Sequence, residues 1–109
     1  MTLSTHVLDT ARGTPAEGIA IVLYFLEGER RTLVGQGTTN ADGRVDAPLG
    51  TALRTGIYEL VFSVGLYFDR QGVDCFYEDI PIRFELDRPG KYHVPLLLSP
   101  WGYSTYRGS

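Results

Sequence analysis

The stretch FYEDIPIRFELDRPGKYHVPLLLSP, residues 76–100, decides the fold class. Its first half alternates without a break. Ile80, Ile82, Phe84 and Leu86 fall on one side; Pro81, Arg83, Glu85 and Asp87 fall on the other. Successive strand side chains point to opposite faces, so this period of two is a half-buried strand. DRPGK is a turn. YHVPLLLSP then breaks the pattern. Val94, Leu96 and Leu98 share one face; His93, Pro95 and Leu97 share the other, with Ser99 after them. Both faces are largely apolar, whereas the outer face of a sandwich sheet ordinarily meets water. Such a strand is expected to be covered from outside, and another copy of the chain is the natural cover. The plainer alternative is a surface with one exposed leucine, which needs no explanation.

Working outward, the rest of the chain also reads as strands and turns. THVLD is a short strand and RGTPAEG a Gly/Pro turn. IAIVLYFLEG is the longest strand, with Ile19, Ile21, Leu23 and Phe25 on one face, and RRTLVGQGTT is its hairpin partner across EGER. NADGR carries the Asp-Gly turn signal and leads into a short strand, RVDAP. GIYELVFSV sets Tyr58, Leu60, Phe62 and Val64 against Glu59, Val61 and Ser63. The one place for a helix is GLYFDRQG, residues 65–72, and YSTYRG is the final strand. About eight short strands at near-regular spacing predict an all-β sandwich. No repeat, linker or second composition interrupts the chain, so residues 1–109 are expected to form a single domain.

The same parity locates the polar residues. His6 shares a face with Leu8, and His93 lies on the outer face with Pro95 and Leu97. Ser104 and Tyr106 share one face of the last strand; Thr105 and Arg107 share the other. If His6, His93 and Tyr106 all face outward, they meet at a surface between copies.

Composition narrows the function classes. With 43% hydrophobic and 21% charged residues, the chain is globular rather than disordered. A net charge of −3, with no basic cluster beyond Arg30-Arg31, argues against a nucleic-acid partner. The lone Cys75 has no internal disulfide partner, which favours a reducing compartment. MTLSTHVLDT lacks the basic and apolar regions of a secretory signal. The apolar run IAIVLYFL is too short to span a bilayer. A soluble, cytoplasmic protein with no membrane partner is expected.

Residue types alone assign no chemistry. His6 and His93 lie far apart, and no third histidine or suitably spaced cysteine completes a metal set. Cys75 with His93 as a nucleophile pair lacks a local motif. Asp69, Asp74, Glu78 and Asp79 lack calcium-loop spacing. GQG lies inside a hairpin rather than between a strand and a helix, so it is no phosphate loop. Arg44, taken alone, is a solvated turn residue.

Three segments carry a resemblance: LSTHVLDTARGTPAEGIAIVLY, TTNADGRV and HVPLLLSPWGYSTYRGS. Together they resemble the transthyretin-related family, on its hydrolase branch rather than its hormone-carrier branch. The most specific element is the terminal Tyr106-Arg107-Gly108-Ser109, which the hydrolases share and the carriers lack. One departure stands outside the three motifs: Phe76-Tyr77-Glu78 where family members often show Phe-Tyr-Pro.

The resemblance implies a transthyretin-like sandwich of two four-stranded antiparallel sheets with one short helix. It implies a homotetramer, a dimer of dimers, with active sites where dimers meet. The implied reaction is hydrolysis of 5-hydroxyisourate to 2-oxo-4-hydroxy-4-carboxy-5-ureidoimidazoline, without metal or organic cofactor. Carried over, the substrate contacts fall on His6, Arg44 and Tyr106, and the catalytic set on His6, Arg44, His93, Arg107 and Ser109. His6 or His93 would serve as base, because an imidazole accepts a proton near neutral pH. Arg44 or Arg107 would stabilise the developing oxyanion. Ser109 would fix the tail through its hydroxyl or carboxylate, and Gly108 would let the backbone turn tightly. A carrier of a small apolar ligand, or a purely structural sandwich, are the competing readings.

Overall fold

Period-two runs become ladders throughout the computed structural model, which describes residues 1–109. In chain order the elements are β1 (Thr2–Ser4), β2 (Val7–Asp9), β3 (Thr14–Pro15), β4 (Ala20–Glu27), β5 (Arg30–Thr38) and β6 (Gly56–Phe62). Then follow α1 (Val64–Arg70), β7 (Ile80–Leu86), β8 (Lys91–His93), β9 (Leu96–Ser99) and β10 (Gly102–Thr105).

The cleanest alternations build a four-stranded antiparallel sheet in the order β5-β4-β6-β7. Ile21, Leu23, Tyr58, Leu60, Phe62, Ile80 and Leu86 turn inward and are buried. The outer face sets a charged cluster among Val22, Leu26, Ile57 and Val61. Glu59 sits between Tyr24 and Arg83 in register and pairs with Arg31 at 3.3 Å and Arg83 at 3.4 Å. Arg31 lies 3.8 Å over the Tyr24 ring. This sheet meets water as a sandwich sheet should.

The second sheet has the order β10-β9-β2-β3. One core of 21 buried residues joins both sheets, including Val7, Leu96 and Leu98 from the second. Helix α1 adds Val64, Tyr67 and Phe68 to that core. In its last turn Arg70 donates to the Gly18 carbonyl at 3.0 Å. No helix is long and apolar enough to cross a membrane.

Three expectations need correction. Two four-stranded sheets are present, but the second is mixed: β2 pairs β9 in parallel, as β1 pairs β8. Only a short connection forces an antiparallel pair, and most of the chain separates these partners. RVDAP is not a strand. It begins a segment that lies across the face of β5 rather than along a ladder edge. A Cβ on Gly35 would overlap the Leu49 carbonyl, and one on Gly37 would overlap the Val45 side chain. Finally, THVLD and YSTYRG are interrupted strands: the first breaks at Thr5-His6, and the last stops at Thr105 and resumes as a bridge at Gly108.

The two interruptions lie at one level but differ in cause. Pro95, between β8 and β9, has no N–H to give the tail, whereas on the first-strand side Val94 and Leu96 still donate to the Ser4 and His6 carbonyls, both at 2.9 Å, and only the Val94 carbonyl leaves the ladder. The register survives the gap. Ser4 pairs His93 and Val7 pairs Leu96; Thr105 pairs Leu96 and Gly108 pairs His93. Two threonine hydroxyls take the carbonyls stranded at the gap. Thr5 donates to the Val94 carbonyl at 2.7 Å and Thr105 to the Pro95 carbonyl at 2.7 Å. Thr5 is buried, so its loss leaves a desolvated acceptor. Thr5→Val is expected to lower unfolding free energy by about 1–3 kcal/mol in urea titrations, with Thr5→Ser close to wild type.

Candidate active site

The ladder gap is where the polar residues collect. His93 ends β8, and its ring Nδ1 lies 2.8 Å from the Ser4 hydroxyl. The tail returns along the other side of the same residue. Gly108 donates its N–H to the His93 carbonyl at 2.7 Å and forms an antiparallel bridge there. A Cβ on Gly108 would stand 2.5 Å from His93 Cδ2. This glycine therefore serves close approach to the imidazole, not the tight turn expected of it; it is not among the positive-φ residues.

Arg44 arrives on the 40–44 turn, which Asn40 holds. The Asn40 Oδ1 accepts the N–H of Asp42 at 2.9 Å and of Arg44 at 3.1 Å, and its Nδ2 donates to Asp46 at 2.7 Å. Gly43 docks the turn against the first strand. It has φ +74° and accepts the Val7 N–H at 2.9 Å. A Cβ there would strike the Val7 carbonyl and stand 3.2 Å from His6 Cδ2. The residue before Arg44 thus touches both the β2 backbone and the His6 ring.

Thr2, Ser4, Arg44, Lys91, Tyr92, His93 and Ser109 line a cleft of about 330 Å³. His6 is not among its walls, yet its charge reaches His93. The His93 pKa lies below the ordinary imidazole value, first through burial, then through the charges of Arg44 and His6, against a smaller upward pull from a hydrogen bond to the Ser4 backbone. The ring is accordingly neutral at neutral pH and free to accept a proton. Arg44 supplies a permanent positive charge and planar donors beside it. An imidazole base, a guanidinium and hydroxyls around one small cleft suit addition of water to a polarised carbonyl.

Not every expected residue joins them. Tyr106 and Arg107 line a separate groove of about 400 Å³ between the tail and β7, with Ile82, Phe84 and Val94. Arg107 lies 4.7 Å over the Tyr92 ring, and Tyr106 is 57% exposed. Of the two arginines offered as charge stabilisers, only Arg44 borders this chain's cleft. Cys75 donates its thiol to the Tyr77 carbonyl at 3.2 Å and lines neither cavity. No three His, Cys, Asp or Glu side chains converge in a metal-binding group. Sequence reasoning missed Ser4, Asn40, Gly43 and Lys91. Asn40 had a signal in its turn motif, since Asn favours such turns through its own side chain. Ser4 had none, because its partner is 89 residues away.

Because the Arg44 charge lowers the His93 pKa, Arg44→Gln is expected to raise it toward the ordinary imidazole value. An NMR titration of the His93 ring protons checks this; an unchanged or lower midpoint contradicts the geometry.

Known proteins share this arrangement of sheets. The model of the HIUase/Transthyretin family matches residues 3–108. A curated relative from Rhizobium meliloti (strain 1021), 5-hydroxyisourate hydrolase 2, is 57% identical over 98% of this chain and 95% of its own length. The structure of Klebsiella pneumoniae 5-hydroxyisourate hydrolase superposes with a TM-score of 0.88 at 40% identity, over the whole of both chains. That of sea bream transthyretin in complex with thyroxine superposes with 0.92 at 29%, over 99% of this chain and 95% of that one. A crystal structure of (S)-allantoin synthase matches at TM-score 0.91 and 46% identity over 99% of this chain, which spans only 43% of that longer one. The chain belongs to the HIUase/Transthyretin family.

Proposed function

We propose that this chain, as a single domain over residues 1–109, hydrolyses 5-hydroxyisourate in urate degradation, in the cytoplasm and without a metal. The observation that carries the reading is the cleft itself: a neutral His93 flanked by Arg44, Ser4 and Ser109, with His6 near enough to act on its charge. The relatives named above as 5-hydroxyisourate hydrolases support it.

In this mechanism water adds to the C6 carbonyl of the substrate while His93 takes its proton. Arg44 stabilises the oxygen that becomes anionic. As the tetrahedral centre collapses, the C6–N1 bond breaks and a protonated imidazole, His93 or its neighbour His6, returns the proton to the departing N1. The product is 2-oxo-4-hydroxy-4-carboxy-5-ureidoimidazoline. Ser109 closes the cleft. Arg107 holds the tail by stacking on Tyr92.

The working unit is a homotetramer, a dimer of dimers. Its support is the uncovered outer face of the mixed sheet, where Leu8 and Leu97 lie side by side in register, and the free edges β7 and β10. Tyr106 reaches substrate across that boundary, from a neighbouring copy. A thyroxine-type carrier is the second reading, favoured by the superposition on sea bream transthyretin. The polar walls of the cleft weigh against it.

The test follows the near-ultraviolet absorbance of freshly generated 5-hydroxyisourate with wild type and with His6→Gln, Arg44→Gln, His93→Gln and Tyr106→Phe. Wild type is expected to accelerate the decay. His93→Gln should lose about 10²–10⁴-fold, the usual worth of a positioned base. Wild-type turnover in all four variants overturns the site assignment; thyroxine binding with no turnover favours the carrier. Light scattering should give four times the chain mass of 12.1 kDa. A monomer of unreduced activity would remove the cross-boundary role of Tyr106.

A further inference from the structure

We propose that Ser4 is a positioning residue: it holds the His93 imidazole as the Nδ1–H tautomer and leaves the Nε2 lone pair facing the reacting water. The inference rests on the hydrolytic reading of the cleft and on His93 as its base. Ser4 and His93 are direct partners in the parallel β1–β8 pair, so their side chains stand side by side on one face. The Ser4 Oγ lies 2.8 Å from Nδ1. Its own proton has a carbonyl to aim at, that of Tyr92 at 3.5 Å, which leaves an oxygen lone pair toward the ring. With its proton turned to the Tyr92 carbonyl, the Ser4 hydroxyl accepts at the ring, and Nδ1 carries the proton.

The opposite edge of the ring is held as well. Gly108 packs against Cδ2 so closely that a Cβ would stand 2.5 Å away. Flipping the ring would exchange Nδ1 for Cδ2 and trade the hydrogen bond to Ser4 for a carbon contact. Ser4 is exposed in the chain and contributes nothing to the core, so packing does not account for its place beside His93.

The tautomer is read directly by long-range ¹H–¹⁵N correlation spectra of histidine-labelled protein at mildly alkaline pH. The chain has only two histidines, and His6→Gln assigns the signals. Wild type is expected to show Nδ1–H at His93. Ser4→Ala should show a substantial Nε2–H population and a lower His93 pKa, because an acceptor that favours the cation is gone. Its kcat should fall about tenfold with KM changed by less than about twofold, the scale of one hydrogen bond. Ser4→Thr, which keeps the hydroxyl, should restore the tautomer and the rate. An Nε2–H ring in wild type, or an Nδ1–H ring with unchanged pKa in Ser4→Ala, overturns the inference. A tautomer shift in a protein that does not hydrolyse 5-hydroxyisourate would instead leave the Ser4 contact standing and remove the functional reading.

Discussion

A ladder gap in a doubly flanked strand organises the end of the molecule where the polar residues collect. Pro95 has no N–H to give the tail, while on its other side the Val94 and Leu96 N–H bonds to the first strand persist and the Val94 carbonyl turns to the Thr5 hydroxyl. The chain does not slip to escape the loss. Register is the same before and after the gap on both sides, because a one-residue slip would turn Val7, Leu96 and Leu98 out of the core. The gap is instead satisfied locally by the hydroxyls of Thr5 and Thr105. Backbone released from pairing is then free to be used otherwise. His6 lies at the break in the first strand, Tyr106 and Arg107 at the break in the last, and His93 immediately before it in the middle.

Around that gap, close backbone approach substitutes for long side chains. Gly108 lets the tail rest on the His93 ring, and Gly43 lets a turn rest on the His6–Val7 backbone. Gly35 and Gly37 let the following segment cross the face of β5. Arg44 is thereby delivered on a short, cross-braced turn rather than on a mobile loop. The electrostatic consequence is specific. A guanidinium and a second imidazole near a half-buried imidazole make its protonation costly, which preserves a neutral base.

The two sheets divide the labour. The β5-β4-β6-β7 sheet presents Arg31, Glu59 and Arg83 to water and closes the sandwich on that side. The mixed sheet presents Leu8 beside Leu97, with the cleft at one end of its strands. Tyr106 and Trp101, at 57% and 70% exposure, extend the uncovered surface along its β10 end. The polar cleft and the uncovered apolar face thus lie on the same side of the sandwich.

Local periodicity was enough to establish most of the architecture. The inward sets of β4, β6 and β7 were legible because a strand exposes alternate residues whatever it packs against, and the helix fell at the one place left for it, residues 65–72, within which Val64–Arg70 largely lies. Strand parity put His6, His93 and Tyr106 on candidate outward faces, but the roles of these residues, and Arg44 altogether, were legible only through family resemblance. Tertiary structure decided the rest. Whether β2 and β9 run parallel depends on long-range packing and not on any turn. RVDAP follows a hairpin-type turn signal but is laid over glycines instead of beside an edge. Arg107 and Arg44 are chemically alike in sequence, yet one stacks on Tyr92 and the other borders the cleft. Ser4 meets His93 only because two distant strands share a register. Sequence by itself determines which faces must be buried, because burial is a property of each residue; which side chains meet is a property of pairs, and only the folded backbone sets those distances.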